Sequence, residues 1–442
     1  MAKGRPVPVA LGYAVYSSNS GHDASANPGN PAAFALNAEA RKNFSYAALK
    51  KTRDAALFLI EKRYGRAPKW RYVIGGSSGG REALAVAQKW PEDFDGVVAM
   101  YPAFAAASLD LQFGRITRAL ALPGAYLNQA KRKVLFDAAM QACDGLDGLV
   151  DGIVSNQAAC NAKFHPETAT LAGQPIRCVD GKDTADTCLS DAQLAAVKVI
   201  NTPAVFRFQS GRGERSYPGF NIYGSDFGNP GNNPAEVNAI FLGLGSQVPV
   251  SSPMPQPSYG PDSGVPYEAA FWDQWTRYFV TGDPNFNSMT VDPENPGRWT
   301  HKILALMAEQ DVVDPDLARF AAHGGKLIVE HGTADPLVST RATDAYVAKV
   351  RSRMGRRTAA FMRYYQVPGQ SHGSNPAFNP AWDSLTALDN WVSGGTPPVN
   401  LTVMDMTGVP GRTRPMCGYP AWPRYNGSGA PNLAASFTCS TR

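Results

Sequence analysis

The sequence lacks long apolar runs and any strong excess of one charge. No stretch of its 442 residues approaches the ~18 consecutive apolar residues of a membrane span. Charged residues make up 18% and the net charge is +5, without long runs of one sign, which argues against nucleic-acid binding. Internal repeats and low-complexity tracts are also missing. A globular chain of this length is expected to form two domains or one core with a large insertion.

Cysteine is scarce, and none of the six residues stands in C-x-x-C spacing, which weakens a zinc or redox interpretation. They fall in three local couples: Cys143 and Cys160, Cys178 and Cys188, Cys417 and Cys439. The even count predicts three disulfides and a secreted or periplasmic protein. Six free thiols in a cytosolic protein are the alternative. No secretory apolar segment follows Met1, so the expectation of export rests on the cysteines alone.

Predicted strands and helices alternate at both ends of the chain, which is typical of an α/β fold with a parallel sheet. We expect strands near 8–20, 71–75, 95–104, 326–331 and 361–367, and helices near 45–64, 81–90, 343–354 and 382–392. Between about Phe113 and Thr300 the sequence turns to long loops rich in Gly, Pro and Asn. We therefore expect one domain from 1–112 and 301–442, with 113–300 inserted into it.

The stretch RYVIGGSSGGREALAVAQ, which begins at Arg71, places glycines and serines between a predicted strand and a predicted helix. The pattern G-x-S-x-G there is typical of a nucleophile elbow, in which a strained turn exposes a serine above the sheet. The pattern fits in two registers, so Ser77 and Ser78 are both candidates. A glycine-rich turn that binds an anion at a helix N terminus is the alternative.

A serine nucleophile needs a base and an acid, and in α/β-hydrolases these follow in the order Ser, Asp, His after strand ends. Asp335 in HGTADP and His372 in PGQSHG match that order, each directly after a predicted strand. His22 and His331 are rivals for the base, but His22 precedes the serine. His331 is very close to Asp335 in sequence, which favours a structural role in the loop. The spacing predicts an α/β-hydrolase fold with a large inserted lid domain.

Three stretches together resemble the tannase/feruloyl esterase family, and the resemblance covers nearly the whole chain. They are GSSGGREALAVAQKWPEDFDGVVAMYPA, DLARFAAHGGKLIVEHGTADPLVS and GRTRPMCGYPAWPRYNGSGAPNLAASFTC. The family elbow G-C-S-T-G-G-R aligns with Gly75–Arg81 and implies Ser77 as the nucleophile. Asp335 and His372 fall on the family's acid and base, and the backbone N–H of Ser78 falls on one oxyanion-hole donor.

Two departures from the family stand out. Gly76 and Gly373 occupy positions where the family carries two cysteines that form a disulfide beside the triad, so we expect less local rigidity but unchanged chemistry. The resemblance also implies a signal peptide, further strands and a Gly-rich loop ahead of Met1. That loop supplies the second oxyanion donor, and losing one donor costs on the order of 10²–10³ in rate.

A second constellation, CDGLDGLVDGIVSNQAAC, gathers acidic residues between Cys143 and Cys160. Carboxylates and carbonyls on one short loop suit Ca²⁺, although the spacing is not that of an EF-hand. The resemblance implies a structural calcium ion away from the reacting carbonyl. Its implied ligands are the side chains of Asp144, Asp147 and Asp151 and the carbonyls of Leu149 and Ile153. An acidic surface turn with Asp caps is the alternative.

The insertion also contains FWDQWTRYF, in which four aromatic residues have helical spacing: Phe271, Trp272, Trp275 and Tyr278. Such a stripe more often forms core than a platform for an aromatic acyl group. Near the C terminus, Arg412 and Arg414 are expected to anchor the last segment.

The sequence and the resemblance together predict a serine esterase. The resemblance implies a small aromatic acid ester of the feruloyl or galloyl type as substrate, with no organic cofactor. Aliphatic or synthetic aryl esters remain an alternative, because substrate choice depends on the divergent lid. A truncated, inactive relative that only binds aromatic ligands is the other alternative.

Overall fold

A computed structural model describes residues 7–224, 250–260, 263–372 and 378–442. Its centre is a parallel sheet of four strands that pair in chain order. They are β1 (Tyr72–Gly76), β2 (Gly96–Met100), β3 (Lys326–Gly332) and β4 (Met362–Val367). The carboxyl ends of all four strands therefore meet at one edge of the sheet.

Nine helices of nine or more residues lie within the described ranges. They are α1 (Ala48–Tyr64), α2 (Ser78–Lys89), α3 (Ala106–Leu120), α4 (Gln129–Cys143), α5 (Asp191–Asn201), α6 (Tyr267–Trp275), α7 (Thr300–Gln310), α8 (Thr340–Met354) and α9 (Ser384–Gly394). Helix α1 ends where Gly65 takes a left-handed conformation, with φ 69°.

The central strands are continuous apolar runs because helices cover both faces of the sheet. Val97 and Leu327 face a large core cluster that includes residues of α2, α3 and α8. Val98 and Ile328 face a second cluster with Leu388 of α9. All five of these side chains are buried. The sheet is thus held rigidly between helices, and its carboxyl edge is a stable base for a site.

The chain leaves the sheet after Met100 and returns at Lys326, so a long insertion separates β2 from β3. Helix α3 continues across the expected boundary at 112/113 and packs against α6. One apolar cluster contains side chains from both sides of that boundary. The division into 1–112 with 301–442 and 113–300 stays a prediction.

Short strands complete the insertion and the C-terminal segment. They are Thr170–Leu171 with Gln174–Pro175, Ala204–Val205 with Ser216–Tyr217, Pro380–Ala381 with Thr402–Asp405 and Thr413–Pro415, and Trp422–Tyr425 with Phe437–Ser440. Shorter helices are Ala38–Lys42, Gln157–Lys163, Ala318–Ala322 and Thr358–Phe361.

The prediction of a strand near 8–20 is wrong. Pro8–Leu11 forms a single 3₁₀ turn, and the following residues form no strand. The apolar side chains of Val9 and Val15 are exposed rather than packed on the sheet. A strand needs a neighbouring backbone to accept and donate its hydrogen bonds, and this segment does not pair with β1, which lies at the edge of the sheet.

All three expected disulfides are formed: Cys143–Cys160, Cys178–Cys188 and Cys417–Cys439. Each closes a loop within one part of the chain and does not join distant elements. Across the described ranges, every helix is too short or too polar to cross a bilayer.

Candidate active site

Ser77 stands at the turn between β1 and α2 with φ 58° and ψ −121°, a strained backbone conformation that non-glycine residues rarely adopt. This is the geometry of a nucleophile elbow, and it favours the register in which Ser77 is the nucleophile. Ser78 is the first residue of α2. Its backbone N–H is therefore one of the N-terminal amides that have no acceptor within the helix.

The glycines around Ser77 permit a close approach of α2 to two strands. A Cβ atom at Gly75 would lie 2.2 Å from the carbonyl oxygen of Gly79. A Cβ atom at Gly80 would lie 2.7 Å from the carbonyl oxygen of Met100, at the end of β2. Only glycine fits at these two positions without a backbone shift, which explains the glycine-rich sequence at the turn.

The structure brings Ser77, His372 and Asp335 into one hydrogen-bonded chain. Nε2 of His372 lies 2.9 Å from Oγ of Ser77, and Nδ1 of His372 lies 2.8 Å from Oδ2 of Asp335. The three residues follow the carboxyl ends of β1, β4 and β3. A proton on the serine hydroxyl can therefore pass to an imidazole that a carboxylate already orients.

Asp335 is fully buried and heavily hydrogen-bonded. Its Oδ1 accepts backbone N–H groups of Leu337 at 2.9 Å and Val338 at 2.8 Å. Burial alone would raise the pKa of Asp335, but the charge of His372 and hydrogen bonds from His331 and His372 hold that pKa well below its usual range. The low pKa keeps the carboxylate ionised at neutral pH.

The two rival histidines do not contact Ser77. His22 packs between Phe34 and Phe44, with ring centroids 4.1 and 5.2 Å away, and burial lowers its pKa. His331 lies within β3, fully buried, and its Nε2 is 3.3 Å from Oδ2 of Asp335.

The sequence predicted a structural loop position for His331, whereas the structure places it within β3 and in contact with Asp335. It contacts Oδ2 of Asp335, the oxygen that His372 also contacts. The spacing H-x-x-x-D at the end of a predicted strand was the available signal, because residues on either side of such a turn face each other. Tyr101, which contacts His372 through its ring, left no comparable signal in the sequence.

The carboxylate of Asp144 in the acidic loop accepts hydrogen bonds from the backbone of that same loop. The carboxylate of Asp144 accepts the N–H groups of Gly152 at 3.0 Å and Asp151 at 3.2 Å, and Asp151 pairs with Arg414. Oδ2 of Asp147 is buried without a hydrogen-bond partner. Burial raises the pKa of Asp147 to about 6, and the charges of Asp151 and Asp144 add to that shift. Over the ranges that the structure describes, no three His, Cys, Asp or Glu side chains lie close enough to hold a metal by themselves.

The acidic loop also contacts the loop that carries His372. A Cβ atom at Gly369 would lie 3.0 Å from Cγ2 of Ile153, so the side chain of Ile153 lies against the backbone of Gly369. Ile153 belongs to the same apolar cluster as Val367, the last residue of β4. A change in the conformation of the acidic loop should therefore shift the loop that carries His372.

The aromatic stripe of α6 and the following turn belongs mainly to the core, and this confirms the prediction. Trp272, Trp275 and Tyr278 are buried, whereas Phe271 is 39% exposed and packs against Tyr267. The two arginines near the C terminus bind acidic partners: Arg412 pairs with Asp405 at 2.7 Å, and Arg414 pairs with Asp151. Gly373 lies outside the described residues.

Comparisons with known proteins find relatives that match nearly the whole chain. The sequence profile of the family described as tannase and feruloyl esterase matches residues 1–440. The chain is 33% identical to an uncharacterised esterase of Agrobacterium fabrum over 98% of its own length and 75% of that protein. It is 30% identical to the mono(2-hydroxyethyl) terephthalate hydrolase of Piscinibacter sakaiensis, over 97% of this chain and 74% of that one.

A solved structure shares the fold. The crystal structure of feruloyl esterase B from Aspergillus oryzae superimposes with a TM-score of 0.70 at 24% identity, over 92% of this chain and 76% of that one. The likeness agrees with the α/β-hydrolase fold that the sequence predicts. The chain therefore belongs to the tannase and feruloyl esterase family and is a carboxylic ester hydrolase.

Proposed function

We propose that the protein hydrolyses aromatic acid esters of the feruloyl or galloyl type through Ser77, His372 and Asp335. The observation that carries the proposal is the continuous chain of hydrogen bonds from the Ser77 hydroxyl through His372 to a buried carboxylate. The strained backbone of Ser77 is a second support, because it exposes the hydroxyl above the carboxyl edge of the sheet.

In the first half of the reaction, Oγ of Ser77 attacks the ester carbonyl while Nε2 of His372 removes its proton. Asp335 holds the imidazole with Nδ1–H directed at its Oδ2 and stabilises the imidazolium that forms. The backbone N–H of Ser78 donates to the oxyanion of the tetrahedral intermediate. The intermediate expels the alcohol, which takes its proton from His372, and the acid stays bound to Ser77 as an ester.

In the second half, water attacks the acyl group on Ser77 and gives its proton to His372. The new tetrahedral intermediate breaks its bond to Oγ of Ser77, which recovers a proton from His372. The carboxylic acid leaves and the enzyme is restored. One ester and one water become one acid and one alcohol, with no redox step.

The choice of aromatic acids rests on relatives. The description of the family names tannase and feruloyl esterase. A relative with 30% identity is a mono(2-hydroxyethyl) terephthalate hydrolase. Terephthalate monoesters are therefore the second substrate class to test. In each case the reacting group is a carbonyl attached to or conjugated with an aromatic ring.

Covalent labelling by a serine-directed phosphonate, together with turnover of methyl ferulate, methyl gallate and a terephthalate monoester, tests the proposal. Ser77→Ala should abolish labelling and lower kcat by at least about 10⁴-fold. Ser78→Ala is the matched control, because it keeps the backbone N–H and should retain labelling. Full labelling of Ser77→Ala, or ligand binding without turnover in the parent chain, would refute it.

We also propose that the loop from Asp144 to Ile153 binds a structural calcium ion. The donor set fits in its chemistry, since Asp144, Asp147 and Asp151 supply carboxylates and Leu149 and Ile153 supply carbonyls. The buried, unpartnered Oδ2 of Asp147 supports the proposal, because such an oxygen needs a donor or a cation. Ligation would need the two carbonyls as well as the side chains.

For the cellular location we propose an oxidising compartment outside the cytoplasm. The support is the three disulfides, which use all six cysteines of the chain. Such bonds persist where thiols are not continuously reduced. The mass of the intact protein should rise by about six hydrogens on reduction, one pair for each disulfide.

A further inference from the structure

Tyr101 is the first residue after β2 and lies beside the proposed catalytic residues. Its backbone is in the left-handed region, with φ 34°, which an aromatic residue adopts only when its surroundings hold it there. Its N–H donates to the carbonyl oxygen of Glu330 on β3 at 2.7 Å. The residue is thus fixed at the carboxyl edge of the sheet, between the strand ends that carry the site.

The ring of Tyr101 fills the space beside Gly76, the residue directly before Ser77. A Cβ atom at Gly76 would lie 2.6 Å from Oη of Tyr101, 2.7 Å from Cζ and 2.8 Å from Cε2. Carbon atoms do not approach a ring that closely, so the phenol occupies the volume that any side chain at 76 would need. Any residue larger than glycine at position 76 would therefore clash with the ring of Tyr101.

The same ring packs against the imidazole of His372. The two ring centroids are 4.9 Å apart and the planes are inclined by 69°, an edge-to-face contact. The hydrogen bonds of His372 to Ser77 and Asp335 leave from its two ring nitrogens. The contact with Tyr101 is made by the imidazole ring itself, so it limits the space in which the plane of that ring can turn.

We propose that Tyr101 is a positioning residue for His372, which fills the space beside Gly76 and holds the imidazole plane in the orientation that proton transfer from Ser77 requires. The inference rests on the proposed function, because it assigns His372 the role of base. Burial, with the charges of Glu330 and Asp335, raises the pKa of Tyr101, so the residue that packs there is the neutral phenol.

Steady-state kinetics on Tyr101→Ala and Tyr101→Phe test the proposal, with methyl ferulate or the best ester found as substrate. Tyr101→Ala should lower kcat about 10- to 100-fold with little change in KM, since a base displaced by about 1 Å costs on this order. Labelling of Ser77 by the phosphonate should slow by a similar factor. Tyr101→Phe keeps the ring and should recover kcat to within about threefold.

Tyr72→Ala is the matched control, because Tyr72 is also partly buried and lies at the opposite end of β1, where its hydroxyl donates to Asp389 at 2.5 Å. It should lower the unfolding midpoint and leave kcat of the folded protein within about twofold. If Tyr101→Ala fails to fold, Tyr101→Leu replaces it, since it keeps apolar volume and removes the flat ring.

A pair of variants tests the fit to Gly76 directly. Gly76→Ala should lower kcat in the parent chain, where the added methyl meets the ring, and should be tolerated when Tyr101→Ala has removed that ring. Additive effects of the two changes, or a parent-like kcat in folded Tyr101→Ala or Tyr101→Leu, would overturn the proposal. Those results leave the proposed function standing, whereas labelling that survives Ser77→Ala would defeat the proposed function itself.

Discussion

Nε2 of His331 lies 3.3 Å from Oδ2 of Asp335, the same oxygen that accepts a hydrogen bond from His372. The other nitrogen of His331 lies 2.8 Å from Oγ1 of Thr343. Nε2 also faces the carbonyl oxygen of Val338 at 3.0 Å, so it has two acceptors and must carry the proton. The hydroxyl of Thr343 then donates to Nδ1. His331 is thus a buried donor that helps to fix the acid of the site.

We predict that His331→Ala lowers both stability and activity. The substitution leaves a cavity and removes one donor to Asp335, which should cost about 2–4 kcal/mol of unfolding free energy and about tenfold in kcat. Urea unfolding and steady-state kinetics measure the two effects. Thr343→Val is the control, because it removes only the donor to Nδ1 and should cost about 1 kcal/mol. Unchanged kcat in folded His331→Ala would contradict a role in holding Asp335.

A second prediction concerns the glycines of the elbow. Gly75→Ala should destabilise the protein by more than about 3 kcal/mol, because the new methyl would lie 2.2 Å from the carbonyl oxygen of Gly79 and β1 would have to separate from α2. Gly79→Ala is the matched control. Nothing lies within 4 Å of a Cβ atom there, and alanine favours a helix, so stability should rise slightly or stay within about 1 kcal/mol. Similar unfolding midpoints for the two variants would refute the packing argument.

The sequence predicted Asp335 and His372 from their order after strand ends, and the resemblance to the family favoured Ser77 over Ser78. The structure brings these three side chains within hydrogen-bonding distance of one another. The sequence placed the start of α2 near Arg81, although the helix begins at Ser78. Glycine has a low helix propensity, so the elbow looked like a loop. Glycine is favoured there because α2 packs closely against β1 and β2, and local sequence does not reveal such tertiary contacts.

Contacts between distant segments could not be read from the sequence. The ring of Tyr101 fills the space beside Gly76, yet the sequence around each residue gives no sign of this contact. The segment near 8–20 has the alternation of a strand, but its pairing depends on a neighbour that local sequence does not specify. The absence of the family's cysteine at Gly76 predicts reduced rigidity there, but no feature of the sequence identifies the side chain that packs beside it.

Removal of calcium should affect both stability and turnover if the acidic loop holds that ion. Ile153 lies against Gly369, three residues before His372, so a loosened loop should displace the base. We expect EGTA to lower the unfolding midpoint by about 3 °C and kcat severalfold, since an ion at 100 times its Kd contributes about 2.7 kcal/mol.

Asp147→Asn should reproduce the effect of EGTA and abolish the calcium that metal analysis detects in the purified protein. Asp180→Asn, at an exposed position of the same insertion, is the control and should retain the ion. A midpoint that EGTA leaves unchanged, in protein that purifies without calcium, would exclude the site.

The pH dependence of stability should depend strongly on Glu330. Burial raises the pKa of this carboxyl from its ordinary 4.5 to about 8, and the charge of Asp335 adds to the shift. Between these two values the folded state holds a proton that the unfolded state has lost, so the free energy of unfolding must fall as pH rises. Below pH 4.5 both states are protonated, and above pH 8 both are ionised, so the dependence is confined to that interval.

Glu330→Gln removes the titrating group and should therefore be more stable than the parent by an amount that grows from near zero at pH 5 to on the order of 3 kcal/mol at pH 8. Urea unfolding at half-unit steps of pH measures this difference. Glu61→Gln, at an exposed position of α1, should follow the parent at every pH. If the curves of Glu330→Gln and the parent run parallel between pH 5 and 8, the carboxyl does not change its protonation on unfolding, and its burial does not set the alkaline limit of the fold.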